Sequence, residues 1–82
     1  MSKETKPAAR PLSVIAADIA ATWPNVNFAA VPYLDAMSSL RSVDDTFMYD
    51  SGKSIVRYFL SNASSWRGAD ARRIKAELRA ML

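Results

Sequence analysis

Four stripes of apolar residues at helical spacing constrain this chain more than any other feature. Leu12, Ile15, Ile19 and Trp23 recur three and four apart, which is one face of an amphipathic helix. Pro11 suits an early helical position and Pro24 stops the run, so the spacing predicts a helix over 12–22. After the polar turn Asn25-Val26-Asn27, with Asn27 as a candidate cap, a second helix is expected to open near Pro32. It is expected to run to Leu40 or Arg41, with Tyr33, Leu34, Met37 and Leu40 on its apolar side. A third pattern passes through Phe47, Met48, Ile55, Val56, Phe59 and Leu60, with Ser42 and Asp45 spaced like a capping box before it. Gly52 interrupts that pattern, which leaves residues 43–61 open between one weakened helix and two short ones. Ser61-Asn62-Ala63-Ser64-Ser65 reads as a hinge. A last helix over 68–81 places Ala71, Ile74, Leu78 and Met81 on one stripe, with Asp70 and Arg79 complementing the helix dipole.

No stretch alternates as a strand should, so the expected fold is all-α. It is a compact bundle of about four helices over residues 11–82, behind a loose N-terminal arm over 1–10. At 82 residues the chain has room for one domain. There is no cysteine and no histidine, which removes thiolate metal sites, disulfides and the commonest general base. No apolar run approaches the roughly 20 residues of a membrane-spanning helix, and residues 1–20 lack the pattern of a secretory signal. A cytoplasmic protein is expected, with no membrane partner.

The tripeptide Gly52-Lys53-Ser54 ends as a phosphate-binding loop does. Such a loop needs a glycine five positions earlier and a buried strand before it, because several backbone amides must converge on the phosphates. Phe47 stands at that position, and no parallel sheet can be built from this chain, so a nucleotide cofactor is not expected. Gly52 is read instead as a place of close helix approach or a bend. Asp44, Asp45 and Asp50 lack the alternation and distant glutamate of a calcium loop, and are read as helix-start carboxylates. Ser64 and Ser65 have no histidine to activate them. Neither catalysis nor a cofactor or metal is expected.

Charge is distributed unevenly. Residues 1–10 set Lys3, Lys6 and Arg10 against Glu4, and residues 11–50 set Arg41 against Asp18, Asp35, Asp44, Asp45 and Asp50. Residues 51–82 then carry Lys53, Arg57, Arg67, Arg72, Arg73, Lys75 and Arg79 against Asp70 and Glu77. Arg72, Lys75 and Arg79 fall on one helical face, flanked by Arg67 and Arg73. That set is a candidate phosphate-tracking surface for nucleic acid, or a solvated face whose cations pair with the acidic middle. The aromatic residues Trp23, Phe28, Tyr33, Phe47, Tyr49, Tyr58, Phe59 and Trp66 exceed what so small a core can hide. An exposed remainder, with methionines such as Met37, Met48 and Met81, suits a protein-binding or self-association patch.

The phrases AVPYLDAM, DSGKSIVRYFLSNASSWRG and ARRIKAEL resemble a group of small helical proteins of unknown function encoded by actinobacterial phages and related mobile elements. The resemblance covers about the last two thirds of the chain. It implies a phage accessory protein acting in the bacterial host cytoplasm, and it carries over no catalytic or binding residues. The expectation is a non-enzymatic module binding a host or phage protein, or itself. The alternative is a nucleic-acid-binding protein using Arg67, Arg72, Arg73, Lys75 and Arg79.

Overall fold

The computed structural model describes residues 9–82. Four α-helices are joined by one small hairpin: α1 is Leu12–Thr22, α2 Val31–Met37, α3 Gly52–Ser61 and α4 Ala69–Ala80. A 3₁₀ turn, Phe28–Ala30, leads into α2, and the strands β1, Thr46–Phe47, and β2, Asp50–Ser51, precede α3. The fold is helix-dominated but not all-α. Apart from Arg10, which the fold engages, and its neighbour Ala9, the expected arm lies outside the described residues.

α1 has the limits its apolar stripe predicts. Leu12, Ile15 and Ile19 are buried, and Pro11 offers no capping side chain. The first free amides of a helix must still find acceptors. Those of Leu12 and Ser13 donate to the carbonyls of Arg41 and Leu40, at 2.8 and 2.9 Å. The end of the α2 segment therefore caps α1.

α2 is shorter than expected, because after Met37 the chain turns through Ser38 and Ser39. Asn27 does cap the turn before it: its Oδ1 accepts from the amide of Ala29, while its side-chain nitrogen donates to the carbonyl of Asn62. That bond sets the start of the α2 segment beside the end of α3. At the other end Lys53 donates to the carbonyl of Val43, so α2 and α3 run antiparallel. α4 packs on α1.

The aromatic core joins three elements. The indoles of Trp23 and Trp66 stack at 5.2 Å, and Phe59 meets both edge-on at 6.2 and 6.4 Å. Such geometries add about 0.5–1.5 kcal/mol per pair beyond burial. Trp66 directly follows the expected hinge Ser61–Ser65, and its burial fixes that connector against α1 and α3.

Residues 43–61 form neither one helix nor two. Thr46 pairs with Ser51 and Phe47 with Asp50, and α3 begins at Gly52. Ser51 is the cap, its Oγ accepting from the amide of Ser54 at 3.1 Å. The aspartates before it are therefore not helix-start carboxylates. Asp45 instead accepts from the amides of Arg41 and Ser42 through Oδ2, at 2.9 and 3.4 Å, and so closes the turn below the hairpin.

Candidate interaction surfaces

The hairpin is anchored from below. Val43 and Phe47 pack against the core, and the amide of Gly52 donates to the carbonyl of Asp45 at 2.7 Å. What remains outside is the two-residue turn Met48–Tyr49. Tyr49 is 103% exposed and Met48 83%. Met48 also has φ 57°, whereas no positive φ occurs at Tyr49. A positive φ at the first of two hairpin-turn residues is a conformation that glycine, asparagine or aspartate usually supplies. For a residue with a Cβ the left-handed region costs about 1–2 kcal/mol. This turn therefore holds two large apolar side chains in solvent on a backbone that disfavours one of them.

The other aromatics divide as the core dictates. Trp23, Phe59 and Trp66 are buried, and Tyr33 and Phe47 are partly so. Tyr58 is half-exposed and tilts against Tyr33 at 5.4 Å, whereas Phe28 is 90% exposed. Met37, expected in the exposed remainder, is fully buried, because it lies on the inner side of α2 with Leu34. Met81 is half-buried.

The five cations of the basic set have different surroundings. Arg73 turns toward α1, where Nη1 meets Asp18 Oδ2 at 3.1 Å and Nη2 meets Asp70 Oδ1 at 3.0 Å. Arg10 joins from the other side. Its guanidinium forks onto Glu77 at 2.8 and 2.7 Å and reaches Asp18 at 3.1 Å. The Arg73 guanidinium, and then that of Arg10, holds the Asp18 carboxyl below the usual carboxylate range. Arg10 does the same for Glu77, and the guanidiniums of Arg10 and Arg73 are raised in turn, chiefly by Glu77 and Asp18 respectively. This network is an α1–α4 clasp, and Arg73 is ion-paired within it.

Lys75 is half-buried. Its Nζ donates to the carbonyl of Trp66 at 2.7 Å and stands 5.9 Å from the centre of that ring. Burial lowers its pKa, with further lowering from Arg79 and Arg67. Arg67, Arg72 and Arg79 are exposed, and none forms an ion pair among the described residues.

Asp44, Asp45 and Asp50 do not converge, and no three carboxylates group to hold a metal ion among the described residues. A cavity of about 290 Å³ opens between the start of α1, the Arg41–Asp44 loop and the end of α4. Ala9, Arg10, Val43 and Met81 are among its walls, and the Arg10 guanidinium there is already satisfied by carboxylates. No described helix is long and apolar enough to cross a membrane. Comparison with family models, curated proteins and solved structures finds no match to this chain.

Proposed function

We propose that this chain is a small non-enzymatic phage accessory protein, a protein–protein interaction module of the bacterial cytoplasm. It binds a host or phage protein, or a second copy of itself, through the Met48–Tyr49 turn. The observation that carries this reading is the exposure of both side chains on a turn whose first residue is held at φ 57°. Unfavourable backbone conformations concentrate where a site presents side chains to a ligand. Methionine and tyrosine suit contact surfaces, since one adapts its shape and the other brings area with few rotamers to freeze. Covering each by a partner is worth about 1.5–3 kcal/mol. Tyr49→Ser is therefore expected to weaken the complex at least about tenfold, since each 1.4 kcal/mol is a factor of ten.

The test places a photoreactive p-benzoylphenylalanine at Tyr49 and irradiates bacterial cells producing the protein. A discrete adduct to one protein, or to a second copy, is expected from position 49 and not from the exposed α1 residue Ala17. No discrete adduct, or the same adduct from Ala17, overturns the proposal.

A further inference from the structure

The charges of α4 fall into two sets. Its two acids are paired, Asp70 with Arg73 on the surface at 3.0 Å and Glu77 with Arg10 at 2.7 Å. The acidic middle of the chain does not compensate the rest, for Asp35, Asp44, Asp45 and Asp50 form no ion pair among the described residues. Arg67, Arg72 and Arg79 are left as exposed guanidiniums on a face whose neighbouring carboxylates are already paired. Lys75 sits among them and carries the electrostatic mark of the cluster, a pKa lowered first by burial and then by Arg79 and Arg67.

We propose that the face formed by Arg67, Arg72 and Arg79 binds the phosphate backbone of duplex nucleic acid without reading its sequence. The planar guanidinium of arginine forks onto two phosphate oxygens through two parallel donors, a geometry that a point charge lacks. Arg72 and Arg79 are seven residues apart, about 10.5 Å along the helix axis. That separation is wider than one small anion, so engaging both side chains takes more than one phosphate of a polyanion. α4 has no asparagine or glutamine to read a base edge. Trp66 is buried and offers no ring on which an unpaired base can stack, which favours duplex over single strand. This surface is separate from the Met48–Tyr49 turn and stands or falls independently of it.

Counterion release makes the number of contacts measurable, since log K falls against log salt with a slope of about −0.9 per phosphate neutralised. Three guanidiniums give a slope of about −2.7, or about a fortyfold loss between 50 and 200 mM salt; all five cations of the set would give about −4.5. The experiment is fluorescence anisotropy of a labelled mixed-sequence DNA duplex titrated with the full chain over a salt series. Arg72→Gln is expected to reduce the slope by about 0.9, while Arg73→Gln leaves it unchanged. Helical circular dichroism of each variant separates a lost contact from a lost fold, and a second duplex of different sequence is expected to bind equally. No binding at the lowest salt overturns the proposal. So does a slope near −4.5 that Arg73→Gln reduces, a preference between the two duplexes, or tighter binding to anionic lipid vesicles than to the duplex.

Discussion

Gly52→Ala tests whether the hairpin and α3 are fixed by close backbone approach. A Cβ built at Gly52 meets Ser42 O at 2.8 Å, Val43 Cα at 2.8 Å and Val43 C at 2.9 Å. All three are backbone atoms, so no side chain can swing aside and the loop itself must move. Overpacking of this kind costs about 1–3 kcal/mol. Moving the loop also strains the hydrogen bonds from Gly52 to Asp45 and from Lys53 to Val43, at 2.7 and 3.2 Å, each worth about 1 kcal/mol. Against this, alanine restricts the unfolded chain and returns about 0.4–1 kcal/mol. The balance is a loss of about 2 kcal/mol, and for a domain of this size each kcal/mol moves Tm by roughly 4–8 °C. Thermal unfolding of Gly52→Ala should therefore show a fall of roughly 8–16 °C.

Gly68→Ala is the control. Gly68 has φ 109° and no heavy atom within 4 Å of a built Cβ, so its loss is conformational alone. Hydrogen exchange distinguishes the two variants. Gly52→Ala should lose protection at the Gly52 and Lys53 amides, and Gly68→Ala should keep it there. A Gly52→Ala protein as stable as the original, or one destabilised with those amides still protected, refutes the reasoning.

Two further outcomes follow from the geometry. Because Asp18 and Glu77 titrate below their ordinary values when folded, they stabilise the protein fully above an ordinary carboxylate pKa of about 4. That stability drains away as pH falls through the lowered folded values. Urea midpoints at pH 7, 4 and 3 should drop more steeply for the original chain than for Arg10→Met, and parallel drops would exclude the clasp as the cause. Met48→Gly relieves the left-handed residue, worth about 1–2 kcal/mol, less about 0.5–1 kcal/mol for glycine's freer unfolded chain. Its urea midpoint should rise slightly while the cross-link from position 49 weakens, and a midpoint that falls would refute strain at the turn.

Much of the helical scaffold is legible in the sequence, because each helix buries one stripe and some of the ends carry a local signal. Pro24 ends the α1 pattern, Asn27 caps, and Ala71, Ile74 and Leu78 go inward from α4. The hairpin is illegible for the opposite reason. Strands of two residues cannot display alternation, and its turn has Met-Tyr where Asn-Gly would advertise it. Phe47 and Met48 instead extend the helical spacing of Ile55 and Phe59. The basic face was half legible. Helical spacing groups Arg72, Lys75 and Arg79, but the capture of Arg73 by an aspartate 55 residues away is a tertiary event with no local trace. The Arg10–Glu77 bond, at a separation of 67, is equally silent in the sequence.

That last bond bears on the order of the chain itself. Arg10 grips Glu77, and Ala9 shares one cavity wall with Met81, so the fold already holds the two ends of its described residues together. With residues 1–8 left out, a short linker from Leu82 back to Ala9, and new termini opened between the exposed Ser64 and Ser65, would make α4 and α1 consecutive helices. In that rearranged chain the clasp becomes a local contact, and much of the loop-closure entropy now spent in forming it disappears.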